Sequence, residues 1–241
     1  MINNYSNFEF NLVSEKEEVY QKIIDIFHDL AMECHVFGSI ARGDSDPYSD
    51  IDICFTFKDE NMQNVLKKRL EYFSKIEEIV HICEAPQNSP VNGKYSCVLF
   101  KTQHSIVHVD FYLCPLSTSH TTKEGKKIFG DIDLPIRELE LNPKKVLVDK
   151  NYRIDFFLTF IFGGIKKLLR DNKEPLQDIF KEYSYLQDRY DIKVEPLIET
   201  SHSFETLKTI ISNIMQVSNE KQRFALLEIS DFLEQVEVNF L

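Results

Sequence analysis

Two aspartates, Asp50 and Asp52, stand two residues apart at the head of Ile51–Phe57 (IDICFTF), a run whose Ile, Phe and Thr content predicts a β-strand. Strand alternation places both carboxylates on one face and turns Ile51 and Ile53 the other way, into a core. Adjacent like charges repel, and a fold keeps such a pair where a cation neutralises it. Hard carboxylate oxygens suit Mg²⁺, which takes one or two carboxylates and fills its other positions with water and substrate phosphates. Upstream, Gly38-Ser39 closes a tight turn, where glycine lets backbone approach a phosphate and the serine hydroxyl can donate to it. Arg42 adds a forked cation. Turn and acid pair together describe a site for a polyphosphate with its metal.

These residues need elements to hold them. The pattern predicts a helix over Ser14–Met32, opened by a Ser14/Glu17 capping box, with Val19, Ile23, Ile26, Phe27 and Leu30 on one face. A short strand near His35–Phe37 leads into a Gly/Asp/Ser/Pro-rich turn from Gly38 to Ser49, then the Ile51–Phe57 strand and a helix over Asn61–Phe73. Strands follow at Ile79–Glu84, Tyr95–Lys101 and Ser105–Leu113, with a turn at Gln87–Lys94. Residues 116–150 are polar and mixed, with an extended piece at Val146–Asp149. Beyond Asn151 the pattern is helical: Phe156–Arg170, a helix opened by Pro175, Ser203–Val217 and Asn219–Val238, with a polar break at 191–202. The expected architecture is α+β, a mixed sheet flanked by helices over 1–150 (core to about 115, connecting segment 116–150), then an α-helical bundle over 151–241.

Composition narrows the function classes. A chain of 241 residues with 43% hydrophobic and 28% charged residues is not disordered, and 7 Gly with 8 Pro exclude collagen-like architecture. The formal charge is −11, from 17 basic against 24 acidic residues over 1–150 and 11 against 15 over 151–241. Such a field disfavours long nucleic acid and favours a small or cationic substrate. The N-terminal residues lack the pattern of a signal peptide, and the apolar run Ile154–Ile165 is too short for a bilayer span, so a cytoplasmic protein without membrane attachment is expected. Five scattered cysteines, at 34, 54, 83, 97 and 114, form no CxxC pair and argue against a disulfide framework or structural zinc.

Gly38-Ser39, the eleven-residue step from Ser39 to Asp50, and Asp-x-Asp opening a strand resemble the nucleotidyltransferase superfamily typified by DNA polymerase β. The resemblance implies a third carboxylate on a later strand. Asp110, in the hydrophobic run IVHVDFYL, fits that role, with Glu84 as competitor; 57 residues separate Asp52 from Asp110, more than in the shortest members. RGDSDPYSDID, the run VLVDKN and the helical C-terminal part are most similar to the antibiotic-modifying branch, the aminoglycoside and lincosamide nucleotidyltransferases.

That resemblance implies transfer of a nucleotidyl group, AMP foremost, from ATP or another NTP to a hydroxyl of a small cationic acceptor, with release of pyrophosphate. Asp50, Asp52 and Asp110 would hold one or two Mg²⁺ ions. Gly38, Ser39, Arg42 and Ser49 would hold the triphosphate, with a helical-domain lysine, Lys166 or Lys167, as a further phosphate contact. Proton removal would fall to Asp110 or Asp155, the substrate would lie in the cleft between the two parts, and some members complete their site across a homodimer.

Plainer readings stand beside these. Arg42 could pair with Asp44 or Asp46 at the surface, and Asp155 could serve the dipole of a helix first turn. His81 and His108 lack metal-ligand spacing and read as core or edge histidines; Cys54 reads as a small buried hydrophobe, and Phe156, Phe157, Phe160 and Phe162 as bundle core. The alternatives to antibiotic transfer are a protein- or tRNA-modifying nucleotidyltransferase and an inactive nucleotide-binding member.

Overall fold

The computed structural model describes residues 4–138, 149–170, 176–190 and 203–240. Two compact units divide the chain, one of residues 9–146 and one of 147–241 together with 1–8.

The first unit is built on a six-stranded sheet. In chain order come α1 (Asn4–Phe27, in this unit from residue 9 onward), β1 (Glu33–Val36), α2 (Gly38–Arg42), β2 (Ile51–Phe57), α3 (Asp59–Phe73), β3 (Glu78–Cys83), β4 (Lys94–Lys101), β5 (Ile106–Pro115) and β6 (Lys126–Phe129). The strands lie in the order β3-β4-β5-β2-β1-β6. β2 and β5 run parallel and the other neighbours antiparallel.

Period-two alternation sorts the two faces. Ile51, Ile53, Phe55 and Phe57 of β2 and Val107, Val109, Phe111 and Leu113 of β5 join one buried cluster with Val19, Ile23 and Phe27 of α1 and Met62, Val65 and Phe73 of α3. Phe27 stacks on Phe55 at 4.5 Å between centroids, and Phe73 on Phe111 at 4.4 Å. Each fully buried phenylalanine contributes about 1.5–3 kcal/mol from area alone. The residues between them, Asp52 and Cys54 on β2 and His108, Asp110, Tyr112 and Cys114 on β5, turn to the opposite face.

The α+β architecture with C-terminal helices is as expected, and β2 has the bounds that its alternation predicts. Three local readings are corrected. α1 starts at Asn4, so Ser14 lies within the helix and caps nothing; the apolar spacing extends back to buried Leu12, and the helix stops at Phe27 because Met32 already donates to the Thr56 carbonyl at 2.8 Å. The turn after β1 contains α2, closed by Gly43 at φ 79°. The polar stretch beyond 115 contains β6, an edge strand held by its pairing with β1.

The second unit contains α4 (Lys150–Leu169), α5 (Gln177–Tyr190), α6 (Phe204–Val217) and α7 (Glu220–Phe240), with α4 packed against the other three. Asp149 caps α4 by accepting from the Tyr152 amide at 3.1 Å, and Ser203 caps α6 by accepting from Thr206 at 3.2 Å. Because α4 opens at Lys150, Asp155 sits in its second turn and the helix-dipole reading of this acid fails. Phe157 and Phe162 are buried, whereas Phe156 and Phe160 are half-buried and line up with Tyr152 along one stripe. The extended piece at 146–148, Pro175 and the break at 191–202 lie outside the described residues. Among the described residues no helix is long and apolar enough to cross a membrane.

Candidate active site

The parallel pairing of β2 with β5 brings Asp52 and Asp110 together as register partners. Neighbouring strands lie about 4.7–4.9 Å apart, which sets the separation of the two backbones. Asp50, just before β2, brings its Oδ2 to 3.4 Å from Nδ1 of His108, whose Nε2 is 3.0 Å from Oδ1 of Asp110. The three acids therefore gather on one face at one end of the β2–β5 pair. Tyr95 donates its hydroxyl to the same Asp110 oxygen at 2.8 Å, and burial pushes its pKa well up, so the proton stays on the phenol.

Gly38 stands against Asp52. It adopts φ +59°, and a Cβ built on it would meet Asp52 Oδ2 at 2.4 Å. The Phe37 amide donates to the Asp52 carbonyl at 3.0 Å, tying this turn to β2. Ser39 follows, partly exposed, in the first turn of α2. Beside Gly38 and Asp52 lies a cavity of about 270 Å³ with Phe37, Tyr112, His120 and Glu124 among its walls.

The other predicted residues are placed differently. Arg42 is exposed and holds Asp44 at 3.2 Å and Glu124 at 3.5 Å, as in the plainer reading of that residue. Ser49 is buried, and its hydroxyl donates to Asp46 Oδ1 at 2.7 Å while accepting from the Asp46 amide at 3.0 Å. It braces the loop that delivers Asp50. Glu84 follows the edge strand β3, with β4 and β5 between it and β2, and binds Lys94 at 2.7 Å as well as Arg69. Burial alone would raise its pKa, but those two cations hold it below the ordinary carboxylate range.

In the helical unit, burial raises the pKa of Asp155, although Gln222 donates to its Oδ1 at 3.0 Å. Lys167 reaches Asp178 at 3.6 Å, and Lys166 is buried with its ammonium 5.7 Å from the centre of the Phe162 ring.

Reading the sequence left out the company that Asp110 keeps. His108 shares its strand face at spacing two, a signal present in the sequence but set aside there for want of ligand spacing. Cys97, the register partner of Asp110 on β4, places its Sγ 3.1 Å from His108 Nε2, and that neighbour is visible only once β4 and β5 are paired.

Hard oxygens from Asp50, Asp52 and Asp110 on one face, with no room for a Cβ at Gly38 to displace Asp52, fit a small divalent cation. A search of curated proteins finds no match. A family model does match, over residues 20–117, which hold Gly38, Asp50, Asp52 and Asp110: this part of the chain is similar to the nucleotidyltransferase domain of the polymerase β-like superfamily, which transfers nucleoside monophosphates.

Proposed function

We propose that the chain transfers a nucleoside monophosphate, AMP foremost, from an NTP to a hydroxyl of a small cationic acceptor such as an aminoglycoside or lincosamide antibiotic. The observation that carries this reading is the alignment of Asp52 with Asp110 across β2 and β5, with Asp50 beside them and Gly38 against Asp52. Asp50, Asp52 and Asp110 would hold Mg²⁺, which when bound neutralises charge on the reacting phosphate and its leaving group. Gly38 leaves Asp52 its place and lets the backbone come close to a phosphate. Ser39 is partly exposed beside it, with a hydroxyl able to donate to the triphosphate.

Arg42 reaches the same phosphates by exchanging Asp44 and Glu124 for them, a trade of one anion for another that an exposed side chain makes at little cost. Ser49 acts through Asp46, fixing the loop ahead of Asp50. Asp155, with its raised proton affinity, is the helical unit's candidate to take the proton from the acceptor hydroxyl, and Lys167 its candidate phosphate contact. The charge of −11 favours a cationic acceptor, and Glu124 on the cavity wall adds to that preference locally.

The test is pyrophosphate release with Mg²⁺ and each of the four NTPs against a panel of aminoglycosides and lincosamides, with Asp50→Ala/Asp52→Ala as control. Release that needs one NTP and one antibiotic, and vanishes in the control, is the expected result. If Mg·ATP binds but no antibiotic provokes release, the antibiotic acceptor is refuted and protein or tRNA acceptors become the next substrates to assay.

A further inference from the structure

We infer that Cys97, His108 and Asp110 form a binding site for a zinc-class divalent cation. Cys97 Sγ lies 3.1 Å from His108 Nε2, which lies 3.0 Å from Asp110 Oδ1, and the three donor atoms fall within 4.8 Å of one another. Zinc bonds of about 2.0–2.1 Å to nitrogen or oxygen and about 2.3 Å to sulfur, at tetrahedral angles, put such donors about 3.4–3.6 Å apart. The Cys97–His108 and His108–Asp110 pairs need therefore open by only a few tenths of an ångström, while Cys97 and Asp110, within 4.8 Å of each other, must settle to the same range. Thiolate and imidazole select zinc over magnesium, which takes oxygen ligands.

The surroundings are those of a metal site. His108 Nδ1 lies 3.4 Å from the Asp50 carboxylate, and a ring protonated at Nδ1 would face that anion and keep the Nε2 lone pair for the ion. Tyr95 donates to Asp110 at 2.8 Å and fixes that carboxylate in turn. Without an ion, one Nε2 proton at most is shared between the Asp110 carboxylate and the Cys97 sulfur, both of which present lone pairs to the same point. A cation at that point would be served by all three lone pairs at once. Cys97 is buried, while the side chains of His108 and Asp110 are 13% and 15% exposed, which leaves one side open for the ion to arrive and for a fourth ligand to complete its shell.

The site shares two acids with the proposed transfer reaction, Asp110 as a ligand and Asp50 as the anion facing His108. If Asp110 also serves Mg²⁺, as that reading holds, zinc and magnesium compete for it and zinc inhibits transfer. The binding is tested without any assay of activity. Full-length protein, stripped with a chelator and kept reduced, is titrated with Co²⁺ and then Zn²⁺. A thiolate-to-cobalt charge-transfer band that saturates at one equivalent and is displaced by Zn²⁺ is expected. It should vanish in Cys97→Ser and His108→Ala and persist in Cys54→Ser and Cys114→Ser. Asp50→Asn, which removes the anion from Nδ1, should weaken zinc binding about 10–100-fold.

X-ray absorption of the zinc-loaded wild type checks the same assignment without a variant, and one sulfur ligand among nitrogen and oxygen ligands is expected. Absence of the band at one equivalent, its survival in Cys97→Ser, or a zinc shell with no sulfur or with two would each overturn the site.

Discussion

Replacing Gly38 by alanine separates two effects that one residue combines. Its φ of +59° lies in the left-handed region, where an L-residue costs about 1–2 kcal/mol. In a chain of this size that corresponds to a fall in Tm of roughly 2–8 °C. The added methyl also arrives 2.4 Å from Asp52 Oδ2, so the carboxylate must move by about 1 Å to regain van der Waals contact. A misplacement of that size at reacting groups costs on the order of 100-fold in rate. Gly43 supplies the comparison: it too has positive φ, +79°, yet a Cβ there meets nothing within 4 Å. Gly43→Ala should show a similar loss of Tm with kcat/KM within a few-fold of wild type. Gly38→Ala should show that loss and a fall in kcat/KM of at least 100-fold. The assays are thermal melting and Mg²⁺-dependent pyrophosphate release with whichever acceptor the panel of NTPs and antibiotics identifies. Equal losses of activity in the two variants would refute the argument, because backbone strain alone would then explain both.

Two further outcomes follow from the buried acids. Burial alone would raise the pKa of Glu15, but hydrogen bonds from Thr102, Ser105 and His104 outweigh it and hold the carboxyl below the ordinary range, as Arg69 and Lys94 do for Glu84. The unfolded chain then binds these protons at higher pH than the folded one, so their stabilisation is complete above about pH 5 and is lost as pH falls through the carboxyl range; urea melts of Glu15→Gln should show lower stability at neutral pH and a shallower acid slope. Asp155 has the opposite sign: its pKa is raised by burial, so its ionised form costs stability at neutral pH. Asp155→Asn, which keeps an oxygen for Gln222, should melt no lower than wild type while losing transfer; a clear drop in Tm would contradict the assignment of burial as the dominant cause.

What could be read from sequence followed the strength of local pattern. β2 is recognisable from its own residues because alternation and β-branched or aromatic content coincide over seven positions. β6 is not: Lys126, Lys127, Ile128 and Phe129 carry no periodicity, and the strand exists because β1 offers it an edge. α2 has five residues and is hidden among turn-forming neighbours. The same division runs through the site. Asp50 and Asp52 are apparent from spacing alone, whereas Asp110 stands out only because the resemblance implies a third carboxylate on a later strand, with Glu84 as its competitor there. The nearness of Cys97 depends on the register between β4 and β5, which no short-range signal encodes.

The parallel ladder between β2 and β5 also divides labour within the chain. Backbone hydrogen bonds hold the strands that carry Asp52 and Asp110 at a fixed spacing, which exchange of surface side chains does not alter. The neighbouring cavity, by contrast, takes Pro90, His120, Thr122 and Glu124 from connections between strands, and such connections accept substitution and insertion readily. Under the proposed function, with the acceptor in this cavity, its identity would be set by the connections before β4 and after β5 while the acids stay where they are. A change of acceptor would then ask nothing of the strands that carry Asp52 and Asp110.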